Sequence, residues 1–206
     1  GLSACLGASA RLAEYLGADW LESKGRPVEL RKGIVVGEEF RYLTEHGQWV
    51  SEPVSGAGVR EGDSYNEAAA RLAQHFASRG EQTLIFVRDR ATALTLAHVV
   101  ADGRAQNETP ASALVGLERT AVRERLQYLL SHRVAFHSAE LQFEDRRCVE
   151  AAFAAGAIDV LCATPTLALG VNLPARNVIL DPQGWQSEKA GGAAAIAPLS
   201  RAEYEN

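Results

Sequence analysis

The apolar positions of this chain follow two rhythms. From residue 28 to 54 they roughly alternate with polar ones, the period of a strand with one covered face. Strands are predicted over 28–36, 39–44 and 48–54, with the last two joined as a hairpin around His46-Gly47. From residue 66 onward, short apolar runs alternate with segments of helical spacing. The runs 83–87, 133–136, 158–163 and 177–180 are predicted as strands. The segments 66–78, 90–101, 117–130 and 143–155 are predicted as helices. Their expected core faces include Leu72, Ala97, Leu126 and Phe153. The alternation predicts an α/β fold, a parallel sheet flanked by helices with right-handed crossovers.

Three further segments complete the pattern. Residues 1–18 open with G-L-S-A-C and continue as an amphipathic helix, with Leu12, Ala13 and Leu16 at helical spacing. Locally this reads as a helix capping the sheet. Residues 19–27 read as a linker, with Gly25 and Pro27. The stretch 55–64, S-G-A-G-V-R-E-G-D-S, is polar and rich in Gly, and a mobile loop is expected there.

Composition narrows the class. Apolar content of 47% and charged content of 23% are ordinary for a globular protein. No run of about 18 apolar residues is present, so no membrane partner is expected. Cys5, Cys148 and Cys162 stand apart without metal spacing, as reduced thiols of a cytoplasmic or nucleoid-associated protein would. A net charge of −5 supplies no general footprint for nucleic acid, so any such contact must be local. The chain contains no Met, and we expect it to be a piece of a longer protein.

The chemistry concentrates where predicted strands end. After 158–163 comes C-A-T-P-T-L-A-L-G-V-N-L-P. Thr164-Pro165 turns the backbone, one helical turn fits 166–169, and Gly170 breaks it. Thr164, Thr166, Asn172 and free N–H groups therefore gather past the carboxyl end of a strand, where open α/β sheets bind ligands and N–H groups suit phosphate. A plain strand-to-helix turn is the other reading. Arg88-Asp89-Arg90 ends the strand 83–87, with Asp89 either a helix cap or part of a phosphate-gripping loop. His137-Ser138-Ala139-Glu140 ends the strand 133–136, and a lone His there is more often structural than catalytic. Arg123, Arg125, Arg146 and Arg147 are read as a solvated helix face. Segment 181–197 carries Trp185 and turns at Gly191-Gly192. It is either a flexible excursion or a hairpin. Ser200 to Glu203 forms a capping box for a last helix.

These residues carry a resemblance. The run 163–175 is similar to motif V of superfamily 2 helicases of the DExH kind, in the branch of archaeal repair DNA helicases and exosome-associated RNA helicases. G-L-S-A-C resembles motif III, with Cys5 where the family carries Thr. The 88–90 loop matches motif IV, and 137–141 matches the family's H-H-A-G-L, with Ser138 and Glu140 as departures. Glu140 is expected to repel a phosphate and to loosen this loop's contact with a strand. The resemblance implies a RecA-like, P-loop NTPase-type helicase C-terminal domain. Residues 1–24 would be the tail of the first RecA-like domain and the linker. Residues 25–206 would be the second, ending before motif VI.

It further implies a division of labour. Arg88, Arg90, His137, Ser138, Thr164 and Thr166 would hold nucleic-acid phosphates. Ser3, Gly170 and Asn172 would lie on the ATP side. Trp185, Gly191 and Gly192 would belong to a strand-separating hairpin, where a stacked base is worth about 1–3 kcal/mol. The chain has neither G-x-x-x-x-G-K-[ST] nor a D-E-x-H pair, so bound ATP and Mg2+ are expected only in the full-length protein and no ATPase activity in this piece. The expected partners are single-stranded and duplex nucleic acid and the first RecA-like domain of the same chain. The expected activity is ATP-dependent unwinding in DNA repair, 3′ to 5′, with DNA favoured over RNA. Two other classes stay open: a helicase-like binding module without turnover, and a doubly wound enzyme binding a small nucleotide alone. The second would need a Gly-rich first turn that is missing here.

Overall fold

A computed structural model describes residues 9–17, 19, 29–44, 46–107, 120–164, 167, 173–186 and 195–198. Helix α1 is Ser9–Leu16. Strands β1 (Gly33–Val36), β2 (Glu39–Leu43) and β3 (Trp49–Pro53) form an antiparallel sheet in that order. Then follow α2 (Tyr65–Ser78), β4 (Thr83–Phe86), α3 (Arg90–Asp102), α4 (Ala121–Ser131) and β5 (Val134–His137). The remaining elements are α5 (Phe143–Ala154), β6 (Val160–Ala163), β7 (Asn177–Leu180), β8 (Gln183–Gln186) and β9 (Ala195–Pro198). The main sheet has the order β5-β6-β4-β7 with every pairing parallel. This is the α/β arrangement that the alternating pattern predicts.

Sequence explains the elements locally. Strands β4, β5 and β6 are almost entirely buried, as parallel strands covered on both faces must be. Phe136, Ile85 and Leu161 from the sheet pack with Leu96, Leu126 and Phe153 from the helices in one core. Helix α2 begins with a capping box: Glu67 N–H donates to Ser64 Oγ, and Ser64 N–H donates to the Glu67 carboxylate at 2.9 Å. The Ser64 hydrogen bonds hold the Glu67 carboxyl below the usual range. Asp89 caps α3 and Thr120 caps α4 by accepting the N–H of Thr92 and of Arg123. Burial of Cys162 pushes its thiol far up, so it packs as a small apolar group.

Several expectations need correction. The loop over 55–64 is anchored, because Ala57 and Val59 are buried against Leu72 of α2. The first strand is shorter than expected and starts at Gly33. Helix α4 starts at Ala121, because Thr120 accepts from Arg123 N–H and fixes the N-terminus there. Strand β5 begins at Val134 and extends to His137, one residue later than the pattern suggests. Arg133 cannot join it, since its φ of 58° is left-handed and closes the turn after α4. Arg123 is not solvated: it is 6% exposed and reaches Asp145 at 2.7 Å and Gln142 Oε1 at 3.0 Å. The α1 helix does not read as a cap, for Tyr15 is 86% exposed and Leu16 is exposed beside it. The predicted hairpin in 181–197 is present as β8 and β9, with Trp185 across from Ile196. Among the described residues no helix is long and apolar enough to cross a membrane.

The opposite ends of the main sheet are built differently. At its amino-terminal edge the Asp159 carboxylate, itself buried, accepts from Arg133 Nε at 3.0 Å, from Arg133 Nη2 at 2.7 Å and from Arg104 Nη2. Arg133 also donates to Gly156 O, and Arg104 to His132 O. Gln82 Nε2 donates to Phe153 O at 2.7 Å and Ile158 O at 2.8 Å.

Candidate nucleic-acid interface

Parallel pairing sends the loops after β4, β5, β6 and β7 to one edge. Strand β6 lies between β5 and β4, so its exit is flanked by both neighbouring loops. The ladder continues past the strands: Thr164 N–H donates to His137 O at 3.2 Å, Val87 N–H to Ala163 O at 2.9 Å, and Asp181 N–H to Phe86 O at 3.0 Å. Leu167 N–H donates to Thr164 O, which closes a turn where the sequence predicts one. Tyr65 Oη, from the start of α2, also donates to Phe86 O at 3.1 Å. One carbonyl thus ties α2, the end of β4 and the root of the β8–β9 hairpin. Burial first, then nearby Asp181, pushes the Tyr65 phenol far up, so it stays a donor.

Each loop has its own fixing device. In the β4 loop, Asp89 accepts Thr92 N–H at 2.8 Å and Thr92 Oγ1–H at 2.9 Å. Desolvation would raise the Asp89 carboxyl, but the Thr92 hydrogen bonds and the Arg88 charge outweigh it and hold it below its usual range. In the β5 loop, Leu141 N–H donates to Ser138 O, and buried Leu141 anchors the turn in the core. His137 Nε2–H donates to Glu150 of α5 at 2.8 Å, while His137 Nδ1 is buried and meets no partner among the described residues. The two loops touch where Arg90 Nη1 meets Glu140 Oε1 at 3.5 Å.

The residues assigned to a strand therefore divide. Arg88 and Arg90 reach solvent, Arg88 with its guanidinium 3.6 Å from Asp89. His137 is 5% exposed, Ser138 1%, and Thr164 is buried with them. Thr166 lies outside the described residues, as do Ser3, Gly170, Asn172, Gly191 and Gly192, and the side chain of Trp185. Among the described residues, an anion approaching this edge meets Arg88, Arg90 and Glu140 before the hydroxyls of Ser138 and Thr164. Tyr65 and Asp181 go unassigned in the sequence reading, and Glu150 is read there only as a nearby partner of the solvated helix arginines. Only Glu150 had a signal, since it lies on the helix that follows His137 directly.

The chain matches the model of the helicase conserved C-terminal domain over residues 67–191. It is 34% identical over 188 residues to the ATP-dependent DNA helicase Hel308 of Pyrobaculum calidifontis, covering 87% of this chain and 25% of that protein. To the protein of the same name from Aeropyrum pernix it is 37% identical over 214 residues, covering 100% of this chain and 27% of the relative. It is also similar to DNA polymerase theta of Caenorhabditis elegans, 30% identical over 200 residues, covering 89% of this chain and 12% of that protein. The chain thus spans about a quarter of the length of its helicase relatives.

Proposed function

The chain belongs to the helicase conserved C-terminal domain family, and from that premise we propose that it is the second RecA-like domain of an ATP-dependent DNA helicase, a motor that moves 3′ to 5′ along a strand. The observation that carries this reading is the convergence of the β4, β5 and β6 loops, joined by the Arg90–Glu140 and Thr164–His137 contacts. Arg88 and Arg90 take the phosphates of one strand as charge-assisted donors. His137, Ser138 and Thr164 shape the floor beneath them, His137 is braced by Glu150, and Thr166 is assigned to the same phosphates. Contacts to phosphates alone make the grip independent of base sequence.

Ser3, Gly170 and Asn172 line the face toward the first RecA-like domain, where ATP with Mg2+ supplies the free energy of strand movement. The β8–β9 hairpin springs from the same edge two residues after β7 and carries Trp185, which stacks on the last base pair of a duplex. DNA is favoured over RNA because the helicase relatives are named as DNA helicases.

The test is unwinding by the full-length protein of matched DNA and RNA duplexes with 3′ tails. DNA unwinding that needs hydrolysable ATP is expected. Activity on RNA alone would overturn the DNA assignment, and ATP-independent strand binding without unwinding would overturn the motor. In the same assay Trp185→Ala slows strand separation more than ATP hydrolysis; equal losses would remove the wedge role.

A further inference from the structure

Arg90 is more exposed than Arg88 at the convergent edge, and it faces a carboxylate of the same domain. Its guanidinium lies 3.5 Å from Glu140, with the two side chains 58% and 49% exposed. Three other acids of this edge are committed elsewhere. Asp89 is taken by Thr92, Glu150 by His137, and Asp181 is buried. Glu140 is also held in place. Its N–H donates to Ser138 Oγ at 3.4 Å, and the next residue, Leu141, is buried in the core. The backbone is thereby held so that an exposed carboxylate lies beside the first residue of α3, within reach of a phosphate there.

We propose that Glu140 is an internal competitor for the nucleic-acid phosphate at Arg90, and so sets how tightly the edge holds a strand. This rests on the reading of the edge as a strand-binding surface. A carboxylate and a phosphodiester offer the same guanidinium the same kind of acceptor oxygen. An exposed pair of this kind shifts an equilibrium by no more than about five-fold, enough to tune a grip without abolishing it. While Arg90 is neutralised by Glu140, its exchange onto a phosphate releases less condensed counterion than a free arginine would. Glu140 therefore weakens binding and also flattens its dependence on salt.

The experiment measures binding of the full-length protein to a fluorescent single-stranded oligothymidylate from low to moderate salt. Wild type is compared with Glu140→Gln, Arg90→Ala and the double variant, each checked for an unchanged melting temperature. Glu140→Gln is expected to tighten binding about two- to five-fold at low salt and to steepen the log–log salt slope by up to about 0.7. Arg90→Ala is expected to weaken binding and to remove most of the gain from Glu140→Gln. An equal gain in both backgrounds would overturn the proposal, because Glu140 would then act by general repulsion. No gain from Glu140→Gln, with Arg90→Ala still weakening binding, would overturn it while leaving the strand-binding reading intact. Arg90→Ala binding as tightly as wild type would overturn both.

Discussion

The two edges of the parallel sheet use the same side-chain types to opposite ends. At the amino-terminal edge, Asp159 is enclosed by two arginines that also satisfy Gly156 O and His132 O. At the carboxyl-terminal edge Arg90 meets Glu140 at 3.5 Å in the open, while half-buried Arg88 lies 3.6 Å from Asp89. Enclosed charge cannot be exchanged without leaving an unpaired ion in a desolvated place, so it fixes structure. Open charge costs little to separate, so it is available to a ligand. The contrast separates a foundation from a working surface within one sheet.

Four measurements by urea titration would break or sharpen this contrast. Asp159→Ala should cost the most, about 3–5 kcal/mol, since two arginines lose their partner at once. A loss no larger than that of a surface change would erase the difference between the edges. Gln82→Ala should cost about 1–3 kcal/mol by stranding the carbonyl of Ile158 and removing one of the donors to Phe153 O, which keeps the Gly156 N–H. Asp89→Ala, on the working edge, should cost about 1 kcal/mol through loss of the α3 cap. Glu140→Gln should lie within about 0.5 kcal/mol of wild type; a larger loss would make its pair structural and not exchangeable.

The Asp89 cap also carries a pH signature. Its carboxyl titrates lower in the folded state than in the unfolded one. It therefore contributes stability above the unfolded value, about 3.9, and that contribution is lost as pH falls through the lower folded value. The stability gap between wild type and Asp89→Ala should be constant near neutrality and close below about pH 4. A gap that widens on acidification would contradict the assignment.

Much of this was legible in the chain. Continuous apolar runs marked β4 and β6 because strands covered on both faces leave no polar position to hide, and Asn177–Leu180 was located to the residue. Arg133 was not legible, since the side-chain bonds that help hold a left-handed arginine run to Asp159 and Gly156, far away in sequence. Arg123 was misread and its partner Asp145 was overlooked, although the signal was there. Arg123 falls in register with Leu126 and Leu130 on α4, and Asp145 with Val149 and Phe153 on α5. A charge on each of two apolar stripes is the mark of a pair buried between helices. At the site, the spacing marked which strand ends converge. It could not tell that His137 and Ser138 are buried while Arg90 is open, because that depends on how α5 and α3 pack over the edge.

The shared acceptor at the end of β4 has a consequence for anyone redesigning this protein. Because the knot on Phe86 is tied to a peptide oxygen, replacing the Phe86 side chain leaves the acceptor where it is. Of the two donors, the Asp181 amide is likewise main chain, and only the Tyr65 hydroxyl can be deleted without altering the backbone. Tyr65→Phe is therefore the one conservative handle on the fastening that joins α2 to the root of the hairpin.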